Sequence, residues 1–407
     1  MTTQKNAIVG QSGGPTAAIN ASLAGVIKEA CASEAIGKIY GMRNGISGMM
    51  EEHLVELNAL GEDEKKLSLL SKTPASYLGS CRYKLPAEDG PVYDKIFAIL
   101  EKYNIGYFFY IGGNDSMDTI MKLSAFSAKR GSEVRFVGVP KTIDNDLQGI
   151  DHTPGYGSAA KYIATTVREI SADVNVYDIE AVTIVEIMGR DAGWLAASSA
   201  LARYQGLGPD LIYLPETAFD IDSFVEDVKT IMQKKKSLLI AVSEGIRFAD
   251  GTYVCEMQSG SGTDAFGHKQ MGGVGQVLAA YIKQKLGCKS RSVELNISQR
   301  CAGHLLSKTD ITESFGVGAS AVRTALSGET GVMATIVRTG DAPYQVDFAS
   351  VDVTTVANKE KIVPKHFMAD NQHDVTDAFV AYALPLIAGE VMPEFENGVP
   401  KQLILEK

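Results

Sequence analysis

Short apolar runs alternate along this chain with longer stretches typical of helices. The apolar runs lie at residues 7–9, 107–111, 135–139, 181–187, 211–214 and 238–242. Because parallel strands need a long connection, usually a helix, this alternation predicts parallel sheets with helical crossovers and hence an α/β fold. A chain of 407 residues is too long for most single cores, so we expect two domains.

Two of these strand signals end in glycine-rich loops. The first loop, at residues 11–16, contains Gly13 and Gly14, and the second, at 112–116, contains Gly113. A glycine loop that leads into a helix can bind phosphate through backbone N–H groups. Neither loop has the G-x-G-x-x-G pattern or a Walker lysine, so each one alone also fits a tight turn. Two such loops in one chain suggest a single phosphate site built from several strand ends. The helical runs that follow span residues 17–30 and 117–130.

Two carboxylates, Asp144 and Asp146, follow the strand signal at residues 135–139. On an extended backbone both side chains would point the same way. With Lys141 and Thr142 just before them, they supply a proton acceptor, a magnesium ligand and a cation for phosphate oxygens, which phosphoryl transfer requires. Taken alone, the segment also fits a solvent-exposed turn in which the carboxylates bond their own backbone.

Several short motifs occur in the order in which phosphofructokinases carry them. They are Ser12-Gly13-Gly14, Gly79-Ser80-Cys81-Arg82, residues 112–116, 140–146 and 186–190, Ser243-Glu244-Gly245 and Gln299-Arg300. On these motifs the chain resembles the phosphofructokinase family, and more narrowly its pyrophosphate-dependent members. The resemblance implies two doubly wound, Rossmann-like lobes with the active site in the cleft between them. It implies a donor lobe at residues 1–157 plus about 299–350, a sugar-phosphate lobe at 158–298, and a C-terminal extension at 351–407 that packs on the lobes.

The resemblance also implies residue roles. Asp144 would be the general base that takes the proton from the sugar's 1-hydroxyl, and the further catalytic residues would be Lys141, Thr142 and Arg190. Residues expected to bind pyrophosphate are Gly13, Gly14, Arg82, Gly113, Asp115, Ser116 and Lys141. Residues expected to bind the sugar phosphate are Thr142, Met188, Gly189, Arg190, Glu244, Arg291 and Arg300. Magnesium would be held by Asn114, Asp115 and Asp146. Without the resemblance, Met188 fits a core position and the arginines fit surface ion pairs.

Two positions predict the phosphoryl donor. Family members that use ATP have glycine where this chain has Asp115 and Lys141. An aspartate there occupies room beyond the second phosphate and repels it, whereas a lysine can neutralise a free pyrophosphate terminus. The expected reaction is therefore reversible, magnesium-dependent transfer from pyrophosphate to fructose 6-phosphate, which gives fructose 1,6-bisphosphate and phosphate. An ATP-dependent phosphofructokinase, a pyrophosphate-dependent sedoheptulose 7-phosphate kinase and a noncatalytic sugar-phosphate sensor are the alternatives.

Three sites depart from the family pattern. Asn114 stands where the family usually has aspartate, and its amide oxygen can bind magnesium but carries no charge. Ala181 stands where ATP-using relatives have an arginine from a neighbouring subunit. Asn296 and Ile297 replace a glycine-histidine pair, which removes a contact to the sugar. The sequence therefore defines the donor site better than the sugar site.

Composition restricts the partners. A net charge of -10 and a pI of about 5.2 argue against nucleic acid or a membrane surface as partner. The five cysteines are scattered and form no CxxC pair, which predicts reduced thiols in a cytoplasmic protein. Resemblance to the family suggests a homodimer or homotetramer. We also expect a mobile glycine-rich loop at residues 252–275. His152 fits either a residue that lines the cleft or a loop histidine bonded to backbone, and we expect the second.

Overall fold

A computed structural model describes residues 4–176, 178–257 and 273–405. The loop predicted at residues 252–275 falls largely outside these ranges. The helices are α1 Ile19–Ala32, α2 Gly45–Met50, α3 Asn58–Glu62, α4 Glu64–Lys72, α5 Pro91–Lys102, α6 Asn114–Arg130, α7 Tyr156–Val174, α8 Trp194–Ser198, α9 Ile221–Met232, α10 Val274–Leu286, α11 Lys308–Leu326 and α12 Asp377–Ala383. The strands are β1 Lys5–Gln11, β2 Ile36–Met42, β3 Leu54–Glu56, β4 Ile105–Gly112, β5 Arg135–Pro140, β6 Ala181–Ile187, β7 Leu211–Tyr213, β8 Ser237–Ser243, β9 Lys289–Glu294, β10 Leu306–Ser307, β11 Val332–Asp341, β12 Tyr344–Asp352, β13 Glu390–Val391, β14 Phe395–Glu396 and β15 Val399–Pro400.

The larger sheet has the strand order β12-β11-β5-β4-β1-β2-β3. Its centre is parallel, because β1 pairs with β2 and β4, and β5 with β4 and β11, all in parallel. The pairing places Gln11 opposite Ile111 and Gly112 opposite Pro140. The carboxyl ends of β1, β4 and β5 are therefore level, and the loops that follow them share one edge of the sheet.

The smaller sheet has the strand order β7-β8-β6-β9 and is parallel throughout. Ile187 pairs with Ser243, and Glu186 pairs with Glu294, so β6, β8 and β9 also end level. The two parallel sheets confirm the α/β class that the sequence predicts. They also provide two edges at which polar residues follow buried strands, which is where ligands bind in folds of this type.

Close packing of α1 against α11 brings distant segments together. A Cβ on Gly25 would lie 2.0 Å from the carbonyl oxygen of Phe315, and one on Gly318 would lie 2.1 Å from that of Ser22. Only glycine permits backbones to approach so closely. Since α1 follows the loop at 11–16 and α11 follows the segment around Arg300, this packing sets those two segments side by side.

The chain after residue 331 returns to both sheets. The antiparallel hairpin β11–β12 joins the edge of the larger sheet next to β5. Farther on, β13 pairs with β10, and the backbone N–H of Leu403 donates a hydrogen bond to Thr73 Oγ1 at 2.9 Å. None of the helices in the described ranges is long and apolar enough to cross a membrane.

Candidate active site

A cleft of about 1090 Å³ lies where the carboxyl ends of the two sheets face each other. Most residues predicted for the site line it: Gly13, Gly14, Arg82, Gly113, Asn114, Asp115, Ser116, Lys141, Thr142, Asp144, Asp146, Met188, Arg190, Glu244 and Arg300. Gly189 lies directly behind, since its N–H donates a hydrogen bond to Glu244 Oε1 at 3.3 Å. Arg291 is not among the lining residues. Its Nη1 lies 3.8 Å from Asp173 Oδ2, at the surface of the smaller sheet.

The turn that carries the two aspartates is not extended. Asn145, between them, has a φ of 54°, so the extended backbone on which both side chains would point the same way does not occur here. Asparagine tolerates this left-handed conformation better than most residues. Thr142 Oγ1 accepts a hydrogen bond from the N–H of Asp144 at 3.1 Å, which tightens the turn. Both carboxylates still line the cleft, because the turn directs them there.

Burial controls the charge of these carboxylates. The pKa of Asp144 is raised mainly by burial, against the hydrogen bond from Thr142 and the positive charge of Lys141. The pKa of Asp146 is also raised by burial, and the charge of Asp144 adds to this effect. A carboxylate with a raised pKa is a stronger base once it is deprotonated, which suits Asp144 for accepting a proton.

Lys141 bridges the loops after β1 and β5. Its side chain is buried, and its Nζ donates a hydrogen bond to the carbonyl oxygen of Gly14 at 2.6 Å. Burial lowers its pKa to about 8, although Asp144 and Asp146 oppose this shift. The ammonium group is therefore held against the glycine loop, where a bound phosphate would need a cation.

One side-chain oxygen in the cleft fits a metal ligand. Asn114 Oδ1 is buried and has no hydrogen-bond donor among the described residues. Asp115 beside it pairs with Lys84, whose Nζ is 3.2 Å from Asp115 Oδ1. Magnesium typically takes one or two protein oxygens and completes its shell with water and substrate phosphates. The unpaired amide oxygen of Asn114 and the carboxylate of Asp146, which line the same cleft after neighbouring strands, are therefore suitable oxygen donors for magnesium.

The opposite wall is built from the ends of β6 and β8. Gly189 has a φ of 130°, and a Cβ on Gly245 would lie 1.7 Å from the carbonyl oxygen of Arg190, so both positions require glycine. Met188 N–H donates a hydrogen bond to Gln299 Oε1 at 3.2 Å. Arg190 Nε is buried without a hydrogen-bond acceptor in the described part of the chain. This wall thus holds a guanidinium whose Nε is unsatisfied, close enough to Asp144 for its charge to act on that carboxylate.

Comparison with known proteins identifies the family. A model described as phosphofructokinase matches residues 6–325. The chain belongs to the phosphofructokinase family. It is 43% identical to the pyrophosphate–fructose 6-phosphate 1-phosphotransferase of Halomonas elongata, with 99% of this chain and 97% of that relative covered. The protein of the same name from Methylococcus capsulatus is 41% identical, with coverage of 98% and 96%. A solved pyrophosphate-dependent phosphofructokinase from Nitrosospira multiformis matches with a TM-score of 0.88 and 38% identity, covering 98% of this chain and 96% of its own.

Two arginines predicted to bind the sugar phosphate occupy different positions in this phosphofructokinase. Arg300 reaches the glycine loop, since a Cβ on Gly14 would lie 2.9 Å from its Nη1. Arg300 follows Gln299, which accepts the N–H of Met188, so it lies between the loop of Gly13 and Gly14 and the wall that carries Met188. Arg291 lies outside the lining of this chain's own cleft, and its assignment to the sugar phosphate stays a prediction.

Sequence reasoning missed several residues of the phosphofructokinase cleft. The lining also includes Lys84, Glu186, Asp191, Tyr253, Glu294, Asn358 and Glu360. Asn296 and Ile297, which were expected at the sugar site as departures from the family pattern, line it too. Glu186 begins the 186–190 motif, and it accepts hydrogen bonds from the N–H groups of Gly273 at 3.1 Å and Gly275 at 2.8 Å. That position could have been noticed, because a carboxylate within a buried strand needs a partner. Asn358 and Glu360 lie in the C-terminal extension, where the sequence offers no motif.

The contacts of His152 also differ from those predicted. It does not bond to backbone: its Nδ1 lies 2.8 Å from Asp151 Oδ1 and its Nε2 lies 2.6 Å from Glu313 Oε2. Burial is the largest single effect on the pKa of His152 and lowers it. The combined effect of Asp151 and Glu313 is greater, so the pKa of His152 is raised. The ring is buried and does not line the cleft, so it belongs to the support of the active site.

We expect Glu244→Gln to flatten the pH dependence of sugar-phosphate binding. Burial raises the pKa of Glu244 to about 7, so the group is largely protonated at pH 6 and charged at pH 8. A charged acceptor bonds hydroxyls more strongly than a neutral one by about 1 kcal/mol, so the KM of the wild type should fall about fivefold over this range. The measurement is KM for fructose 6-phosphate from pH 6 to 8 in both proteins.

The comparison of the two proteins separates Glu244 from the substrate, whose own phosphate titrates near pH 6 in both assays. Equal slopes for wild type and Glu244→Gln would show that Glu244 does not contact the sugar. Glu294→Gln, in the same cleft, is the matched control and should keep the wild-type slope.

Proposed function

We propose that this phosphofructokinase transfers a phosphoryl group from pyrophosphate to the 1-hydroxyl of fructose 6-phosphate, giving fructose 1,6-bisphosphate and phosphate. The observation that carries the proposal is the buried ammonium of Lys141, held 2.6 Å from the carbonyl oxygen of Gly14 at a position where ATP-using members have glycine. The names of the relatives at 43% and 41% identity support the same reaction.

The cleft residues suggest a direct in-line transfer. Asp144 accepts the proton of the 1-hydroxyl as that oxygen attacks the terminal phosphorus of pyrophosphate. Arg190, whose Nε has no acceptor among the residues that the structure describes, offers its guanidinium to the charge that develops on the transferring group. Lys141 and the loop that contains Gly13 and Gly14 hold the leaving phosphate. Such a mechanism requires positioning and charge stabilisation and no covalent enzyme intermediate.

Magnesium is the expected metal. Asn114 and Asp146 would hold it, with Asp115 as a further ligand if it releases Lys84, and the ion would neutralise the charge of the donor oxygens. Three further features are part of the proposal: ready reversibility, a cytoplasmic location and a homodimer or homotetramer. All five cysteines lie within the described residues and form no disulfide there, which suits a reducing compartment.

A coupled assay tests the function. Purified protein with magnesium and fructose 6-phosphate should turn over with pyrophosphate and not with ATP. The reverse assay, with fructose 1,6-bisphosphate and phosphate, should produce pyrophosphate. Turnover with ATP alone would contradict the donor assignment. Inactivity with fructose 6-phosphate but turnover with sedoheptulose 7-phosphate would keep the reaction and change the sugar. Inactivity in every assay, with retained binding of fructose 6-phosphate, would favour a noncatalytic sensor.

A further inference from the structure

We propose that Lys361 and Tyr382, in the C-terminal extension, are positioning residues for phosphoryl transfer. They bind the turn of Asp144, Asn145 and Asp146 from the side opposite the cleft and fix the direction of its two carboxylates. The inference rests on the proposed function, because it assumes that Asp144 is the base. Neither residue falls in the segment 6–325 that the family model matches, and the sequence alone gives no role to either.

Lys361 connects the turn of Asp144, Asn145 and Asp146 to the segment that follows it. Its Nζ donates hydrogen bonds to the carbonyl oxygens of Ile150 at 3.0 Å and Asp151 at 2.8 Å, and to Asn145 Oδ1 at 3.3 Å. Its own backbone N–H donates to the carbonyl oxygen of Asp146 at 2.7 Å. One residue thus contacts both the turn and the chain that leaves it.

Lys361 is itself held in place. Trp194 Nε1 donates a hydrogen bond to the carbonyl oxygen of Lys361 at 2.8 Å, and the Lys361 ammonium lies 5.2 Å from the centre of the Trp194 ring. Trp194 begins α8, which follows the 186–190 motif of the smaller sheet. Lys361 therefore also ties the catalytic turn to the wall that carries Arg190.

Tyr382, in α12, contacts the same turn and the same following segment as Lys361. Its hydroxyl accepts a hydrogen bond from Asn145 Nδ2 at 3.0 Å and donates one to the carbonyl oxygen of Asp151 at 2.9 Å. Arg338 secures the same region, because its Nε donates to Asp151 Oδ1 at 3.2 Å and its Nη2 donates to the carbonyl oxygen of Tyr382 at 3.1 Å.

Asn145 is the residue through which this network acts. It is fully buried, and its Oδ1 also accepts the N–H of Thr153 at 3.0 Å. Its side-chain amide is thereby bound on both ends, which holds the left-handed φ of 54° between the two aspartates. Because a base displaced by about 1 Å can lose about 100-fold in rate, these supports are expected to matter for kcat.

Two substitutions test the inference. Tyr382→Phe removes one hydroxyl and keeps the ring among Trp194, Phe367 and Phe379. Lys361→Met removes the ammonium and keeps most of the side-chain length. Each should lower kcat about 10- to 100-fold while the KM for pyrophosphate changes less than about threefold, since substrate contacts remain. The matched control is Lys359→Met, an exposed lysine on the same segment whose Nζ contacts only Thr354 O among the contacts described for it.

A second measurement keeps the inference separate from the proposed function. Amide hydrogen exchange across residues 142–155 should become faster in Tyr382→Phe and Lys361→Met and stay unchanged in Lys359→Met, whether or not the wild type turns over. Lack of wild-type turnover would refute the proposed function and leave this readout intact. Unchanged exchange in both variants, or a kcat within twofold of the wild type, would overturn the inference. A lower melting temperature with unchanged kcat would indicate a purely structural role and overturn it as well.

Discussion

Asp144→Asn is expected to lower kcat and kcat/KM together by about 10²- to 10⁴-fold, the contribution typical of a positioned general base. The amide keeps the size of the side chain and can still accept the hydrogen bond from Thr142, but it cannot take a proton. Substrate contacts elsewhere in the cleft are unaffected, so the KM for fructose 6-phosphate should stay near the wild-type value. Steady-state kinetics with pyrophosphate as donor provide the measurement.

Stability gives an independent check on this variant. Because burial raises the pKa of Asp144, the folded protein disfavours the charged form, and a neutral amide should not lower the melting temperature at pH 7. Asp347→Asn, at an exposed position of β12, is the control for an aspartate change outside the cleft. A kcat for Asp144→Asn within about tenfold of the wild type would exclude Asp144 as the base.

The central strands are predictable from the sequence because they are buried on both faces. Strands of this kind appear as continuous apolar runs, and the run at 181–187 matches β6 at both ends. In contrast, β9 carries the sequence KSRSVE with an alternating and partly exposed pattern, and β12 also alternates in burial. The positions of such strands are determined by pairing with neighbouring strands, which a local sequence pattern does not reveal.

The residues of the cleft also divide into those that a local sequence pattern predicts and those that it does not. The two glycine loops at 11–16 and 112–116 are predictable as parts of one site, because parallel strands that end level present their loops at one edge. The segment 140–146 joins that site in the sequence analysis only through the resemblance to the family. The left-handed turn at Asn145 was not predicted, since its partners lie more than 200 residues away in sequence at Lys361 and Tyr382. Contacts at that separation depend on the packing of the whole chain and leave no local signal.

The largest change in specificity is expected from replacing Asp115 and Lys141 together by glycine. Lys141 lies buried against Gly14, and Asp115, which lines the same cleft, forms an ion pair with Lys84. With pyrophosphate bound as proposed at the loop of Gly13 and Gly14, both side chains would stand where a nucleotide extends beyond the second phosphate. Their removal should lower kcat/KM for pyrophosphate by at least about 100-fold, the typical effect of losing one charged donor, and should produce measurable turnover with ATP.

The single variant Lys141→Met and the double glycine variant together separate the effect of charge from the effect of space. Lys141→Met keeps the bulk and removes the ammonium, so pyrophosphate activity should fall without any gain with ATP. Lys141→Gly combined with Asp115→Gly opens the space as well, and only this combination should admit the nucleotide. If the double variant gains no ATP turnover while it stays folded by melting temperature, steric exclusion by these two side chains is wrong. Retention of full pyrophosphate activity in Lys141→Met would likewise show that the buried ammonium does not hold the donor. In a site shielded from water, the loss of a cation that contacts phosphate must lower the activity.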